Sequence, residues 1–250
     1  MNILLIKVIL MPSVMAMVTL AIRKWGHQIG GLIGSMPWVA GPILLFFILE
    51  QGKAFGIQSI PGVITGILAL ISFCYGYAAL SRKLFWLPTL LLSYGAYTLT
   101  AFLFSHLPLS LPARYGLVVG CIVLALRFFP QPGSQSAKAR RLPFDLPLRM
   151  LVATLFVLLV TALAAALGPT WSGVLTPFPI LTTVLAIFSH TLQGSDATIN
   201  TLRGIVMGLV GFTTFVFLQA FLLPLFSVGT SFGVAFLINI VLNVVAYRVW

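Results

Sequence analysis

Long apolar stretches alternate with short polar gaps from one end of the chain to the other. A helix needs about 20 mostly apolar residues to cross the hydrocarbon of a bilayer, and Gly or Pro inside it is tolerated where neighbouring helices re-satisfy the backbone. On that measure the pattern predicts nine helical spans, near residues 2–22, 31–50, 59–80, 85–106, 113–129, 148–168, 171–191, 203–224 and 227–248. The expected fold class is therefore all-α, a polytopic transmembrane helix bundle.

Charge adds an orientation. Only 7% of the 250 residues are charged, and three acids (Glu50, Asp145, Asp196) stand against 14 Lys and Arg. The ends after spans one, three, five, seven and nine hold Arg23, Lys24, Arg82, Lys83, Arg127, Lys138, Arg140, Arg141, Arg149, Arg203 and Arg248; the other side holds Lys7, Lys53 and Arg114. Basic residues collect on the cytoplasmic side, so the N-terminus is expected outside and the C-terminus in the cytoplasm. The same distribution accounts for the net charge of +11 without a nucleic-acid partner. The first span has no basic n-region and Lys7 interrupts its apolar run, which argues against a cleaved signal peptide. Cys74 and Cys121 lack metal-ligand spacing and read as small apolar residues, so neither a metal nor another cofactor is expected.

Laid on itself without gaps, in the register that aligns Val18 with Val160 and Leu80 with Leu222, the chain shows fourteen identities between those two pairs, both included. They include Gly26 with Gly168, Gly31 with Gly173, Pro37 with Pro179, Gln51 with Gln193, Gly52 with Gly194, Gly62 with Gly204 and Gly66 with Gly208. Gly and Pro matches encode bends and close helix contacts rather than mere greasiness. Spans one to four then correspond to spans six to nine, and the single fifth span inverts the second copy: a 4+1+4 inverted repeat. The expected organisation is a first four-helix repeat (1–108), a linker helix with a basic cytoplasmic loop (109–147) and a second, inverted four-helix repeat (148–250).

Gly and Pro are densest in Gly30 to Pro42 and in Trp171 to Leu181. Two readings stand: a loop before a helix starting at Pro37 and Pro179, or a broken helix whose free amides and carbonyls form a binding site, with Ser35, Pro37, Pro179, Thr182 and Thr183 as candidates. Glu50, Gln51, His190 and Gln193 close spans two and seven. A carboxylate or imidazole there suits a coupling proton, while Gly52 and Gly194 equally read as helix C-caps. Asn239 and Asn243 share one helix face, for interhelical bonding or for lining a path. Gly62 with Gly66 and Gly204 with Gly208 would let the third and eighth helices pack closely. Trp25, Trp38, Trp86, Trp171 and Trp250 fall near span ends, as interfacial anchors do. Ser189, His190 and Asp196 have the residue types of a hydrolytic triad, but no GxSxG elbow, P-loop, dinucleotide fingerprint or HExxH is present, so no catalytic residue is assigned.

The stretch from Trp171 to Phe217, through Gly173, Phe178-Pro179, His190, Gly194 and Leu202-Arg203, resembles the core of the GlpM family of small bacterial inner-membrane proteins; the resemblance is fainter in spans two and three, where Pro37 and Gly52 persist but the His and Leu-Arg positions hold Ile48 and Ile60-Pro61. Members are about half this length, which fits a fused duplication. The resemblance implies a bacterial inner membrane and envelope or polysaccharide work, and brings no catalytic residue. The expected function is an ion-gradient-coupled secondary transporter of a small polar or amphipathic solute. The alternative is a non-transporting accessory or assembly subunit of an envelope system. Expected partners are membrane lipids, the solute, and either further copies of the chain or an envelope protein.

Overall fold

The computed structural model of the chain describes residues 3–25, 32–133 and 144–249, all helix, turn or loop, with no strand among them. Gly26, Gly30, Gly31, the basic linker around Lys138, Arg140 and Arg141, and Trp250 lie outside that set, as do the side chains of Arg23, Trp25, Asp145 and Arg149. The helices are α1 (Ile3–Trp25), α2 (Ala40–Gln51), α3 (Lys53–Leu80), α4 (Trp86–Ser105), α5 (Leu111–Arg127), α6 (Asp145–Leu175), α7 (Ile180–Gln193), α8 (Ser195–Leu225) and α9 (Val228–Val249). Five of them, α3, α4, α6, α8 and α9, are each long and apolar enough to cross a membrane; α2 and α7 are short apolar helices.

The helices are apolar on their outer faces as well as their inner ones. Leu91, Leu99 and Leu103 on α4, Leu151, Leu155 and Leu159 on α6, and Leu237, Val241 and Val245 on α9 are all exposed. In water such stripes would cost the molecule the area they leave uncovered, whereas lipid solvates them. Centre and periphery are distinct: the apolar windows of α3 and α8 are 72% and 61% buried, those of α4 and α9 only 22% each. Helix α3 packs against α4, α6 and α8, and α8 against α9, α3, α7 and α5, while α1 lies along α6. The core of α3 carries Ile60, Ile64, Ile67, Phe73 and Tyr77, and α2 adds Phe46 and Phe47, all fully buried.

Side chains at the two ends of the central pair fix its direction. Lys53, at the start of α3, donates through Nζ to the Phe226 carbonyl just past α8 (3.0 Å), and Arg82, just past α3, pairs with Asp196 at the start of α8 (2.6 Å). Helices α3 and α8 therefore run antiparallel. The end with Arg82 and Asp196 also gathers Gln131 and Arg203; the end with Lys53 also gathers Glu50, and Lys7 of α1 bonded to it.

Among the described residues three glycines adopt positive φ: Gly52 (φ 91°, ψ 162°), Gly194 (φ 89°, ψ 174°) and Gly168 (φ 69°, ψ 172°). That region is open essentially to glycine alone. Gly52 and Gly194 separate α2 from α3 and α7 from α8, and each helix resumes at the next residue. So α3 and α8 begin at Lys53 and Ser195, earlier than the expected 59 and 203. Gly168 breaks α6 and leaves Pro169 to start its last turns.

The glycines expected to join α3 to α8 instead meet short segments that precede the helix breaks. A Cβ at Gly62 would overlap the Thr170 carbonyl oxygen and lie 3.2 Å from Gly173 Cα; at Gly66 it would overlap the Val174 carbonyl and Pro177. At Gly208 it would overlap Ser35 Oγ and lie 3.0 Å from the Leu32 carbonyl. Gly66 corresponds to Gly208 in the register that aligns Val18 with Val160, and their partners correspond too, Leu32 with Val174 and Ser35 with Pro177.

Candidate functional site

Between residues 34 and 40, and again between 175 and 180, the helical ladder is interrupted. At the first break the Met36 amide donates to the Ile33 carbonyl (3.2 Å), Trp38 to Met36 (2.7 Å) and Gly41 to Pro37 (2.9 Å). At the second, Phe178 donates to Leu175 (3.0 Å), Ile180 to Phe178 (2.7 Å) and Thr183 to Pro179 (2.7 Å). Bond for bond, the two sets match in the repeat register that pairs Pro37 with Pro179. The middle bond of each set spans one proline; Pro179 has φ −76° and ψ 46°, close to an inverse γ-turn. Proline supplies the fixed φ, and with no amide of its own it leaves that turn unopposed. A one-turn helical piece (residues 32–34) precedes the first break, and the last turns of α6 precede the second.

Both breaks face one cavity of about 60 Å³. Gly34, Ser35, Met36, Val39 and Ala40 line it from the first, and Thr176, Pro177, Phe178, Ile180, Leu181 and Thr182 from the second. Leu70 of α3, Phe156 of α6 and Ile205, Leu209 and Phe212 of α8 complete it. No charged side chain is among these residues. Phe178 is held by three rings, stacked on Tyr94 (5.4 Å) and Phe156 (5.7 Å) and edge-on to Tyr97 (5.2 Å).

The candidates named from sequence fall in several places. Ser35 and Thr182 line the cavity, and both are buried. Pro37 and Pro179 sit at the two breaks, with Pro37 also facing an adjoining apolar groove walled by Leu45, Phe215, Phe232 and Phe236. Thr183 turns its hydroxyl to Tyr94 (2.7 Å). Glu50 accepts from Lys7 (2.6 Å) at one end of the bundle, next to exposed Gln51. His190 meets the Tyr77 hydroxyl through Nδ1 (3.3 Å), and Gln193 Oε1 is buried with no hydrogen-bond partner among the described residues. Asn239 and Asn243 are buried, share a 3.3 Å hydrogen bond and lie against Gly211. Trp38, expected at an interface, belongs to the first break, where its indole Nε1 donates to the Ile33 carbonyl (2.8 Å).

Two features were not among the site candidates read from the sequence. Lys7 is 5% exposed, bonded to Glu50 and Thr161 (2.8 Å) and placed over the Phe46 ring. Its signal was a lone charge inside the first apolar run. The other is the Met36, Val39, Pro177 and Phe178 lining, which no residue type would have singled out. Comparison of the chain with protein-family models, with curated proteins and with solved structures finds no match.

Proposed function

We propose that this protein is a secondary transporter of the bacterial inner membrane that moves a small solute by alternating access between two inverted halves. The observation that carries the reading is the pair of helix breaks, alike bond for bond in the repeat register and facing one cavity. Discontinuous helices that meet at the middle of an inverted repeat are where transporters of this kind hold their solute. Three further facts support the inversion. Helices α3 and α8, whose starts Lys53 and Ser195 correspond in that register, run antiparallel; the close contacts of Gly66 and Gly208 exchange partners between the halves; and α4 and α9 occupy equivalent outer positions.

On this reading α2 with residues 32–39, and α7 with residues 169–179, each form one broken crossing. With α1, α3, α4, α5, the first part of α6, α8 and α9 that makes nine. Lys7, Glu50 and Lys53 mark the outer end, and Arg82 and Asp196 the cytoplasmic end. Rocking of one half against the other around the fixed cavity is the transport step, and Gly52, Gly168 and Gly194 sit where each half bends.

The test needs no knowledge of the solute. Thr182→Cys in a Cys74→Ala, Cys121→Ala background is treated with an impermeant thiol reagent in right-side-out and in inside-out vesicles. Reaction from both sides is expected, because the cavity opens to each in turn. Reaction from one side only, or from neither, together with stoichiometric co-purification of an envelope protein, would favour an accessory subunit and sink the transporter.

A further inference from the structure

We propose that the solute is amphipathic, with a small polar head in the cavity and a hydrocarbon chain in the apolar groove on the other side of the first break; this rests on the reading of that cavity as the solute site. The two spaces share one wall. Met36, Val39 and Ala40 face the cavity, while Pro37, Gly41 and Pro42, from the same break and the first turn of α2, face the groove. Helix α8 divides in the same way, Phe212 lining the cavity and Phe215 the groove.

Size separates the roles of the two spaces. The cavity, at about 60 Å³, holds a few waters, far below the roughly 300 Å³ or more of a pocket that encloses a whole small molecule. A solute of more than a few atoms must extend beyond it. The groove has about 320 Å³, and no side chain lining it is charged or carries a hydrogen-bonding group. Val234 and Leu237, beside it on α9, are exposed, so it opens to the hydrocarbon of the bilayer. An apolar chain suits both that lining and that medium. The polar side chains, Ser35, Thr176 and Thr182, stand on the cavity side. Lipid solvates a chain as well as the groove does, so the head held in the cavity is what retains one molecule rather than another. Entry is then lateral, from the bilayer.

The other half shows that the groove is not a by-product of the repeat. In the register that pairs Pro37 with Pro179, Gly41 corresponds to Thr183, Phe215 to Phe73 and Phe236 to Tyr94. Between α4 and α7 that seam is sealed. The hydroxyls of Tyr94 and Thr183 bond at 2.7 Å, and the Tyr94 ring packs on Phe73 (5.2 Å) and Phe178 (5.4 Å). Between α9 and α2 neither partner of that bond is present, since Gly41 has no side chain and Phe236 no hydroxyl, and the Phe236 ring meets Trp38 edge-on instead (5.6 Å). The opening is therefore a difference of sequence between the halves, and it lies against the cavity wall.

The experiment uses the full chain in phosphatidylcholine vesicles and photoreactive probes with a diazirine in mid-chain: hexadecanoic acid, hexadecanol and headless hexadecane. Labelled residues are located by mass spectrometry, with exposed Leu99 of α4 and Leu155 of α6 giving the level set by bulk lipid. At least one headed probe should label Pro42, Leu45 or Phe232 saturably, with the signal lost to the same compound lacking the diazirine; hexadecane should label without saturation. Gly41→Thr with Phe236→Tyr supplies the pair that seals the first half, and the new Cβ at 41 makes ordinary contact with Pro37 (3.5 Å) and Phe215 (3.9 Å). Gly233→Leu fills the groove from α9, where a Cβ meets nothing within 4 Å. Both should lose the saturable signal, with thermal unfolding confirming that they fold. A saturable signal kept by either variant that folds, labelling of the groove no different from the outer faces, or saturation by hexadecane would overturn the proposal. Equal saturable labelling by a diazirine phosphatidylcholine would overturn it too, making the groove a site for membrane lipid. Saturable labelling with Thr182→Cys reactive from one side only would leave this inference standing and remove transport; two-sided reactivity without saturable labelling would do the reverse.

Discussion

Gly62→Ala isolates the backbone contact between α3 and the end of α6. Glycine 62 lies in the middle of α3, where alanine is favoured by about 1 kcal/mol on helix propensity. Yet the added Cβ would overlap the Thr170 carbonyl oxygen, with Val174 N at 3.1 Å and Gly173 Cα at 3.2 Å. Every one of these neighbours is backbone, so no side chain can swing aside; α3 and the end of α6 must part by about 1 Å to restore ordinary separation. Overpacking of that kind costs about 1–3 kcal/mol. Gly95→Ala is the matched control: it too is in a helix, and its Cβ would meet nothing within 4 Å. The difference between the variants corresponds to about 2–12 °C in melting temperature for a chain of this size. Thermal unfolding in detergent should place Gly62→Ala below the wild type and Gly95→Ala level with it or above. If Gly62→Ala melts no lower than Gly95→Ala, the close approach of α3 to the end of α6 is wrong.

Two further perturbations separate strain and charge from packing. Gly52→Ala and Gly194→Ala add a Cβ to open space, yet force alanine to φ near 90°; each should cost about 1–3 kcal/mol by unfolding, and full stability in both would show that these junctions bend in some other way. Lys7 and Glu50 form a pair whose side chains are 6% and 25% exposed. Glu50→Leu strands a buried cation and should cost about 3–5 kcal/mol; Lys7→Met leaves a carboxylate that water reaches and should cost less, and the double variant should recover most of the loss. A Glu50→Leu protein as stable as Lys7→Met would contradict this placement of the charge.

The parts legible in the sequence were those carried by local pattern. Apolar runs fixed where helices lie, and the Gly and Pro clusters at Pro37 and Pro179 marked the interruptions, because a missing amide and a free φ act on their own neighbours. Helix starts were misplaced at Lys53 and Ser195 for a related reason. Lys53, Gln58 and Ser59, and Ser195, Asp196 and Asn200, lower the hydropathy of those turns without weakening the helix, so an apolar threshold begins too late. Tertiary facts were not legible. Gly62 and Gly66 announced a close approach but not its partner, which proved to be the end of α6 rather than α8. Nothing local to Tyr97 says that its hydroxyl closes the Val174 carbonyl, or that Lys7 turns inward to Glu50 and Thr161.

The account stands on the two halves being inverted, and sidedness of equivalent positions tests that most directly. In the Cys74→Ala, Cys121→Ala background, Lys53→Cys and Ser195→Cys mark the starts of α3 and α8, and Ser227→Cys lies just past the end of α8, beside Lys53. Labelling of intact cells with an impermeant thiol reagent should mark positions 53 and 227 and leave 195 untouched until the membrane is opened. Labelling of 53 and 195 from the same side would make the halves parallel, and alternating access between inverted repeats would have to be abandoned.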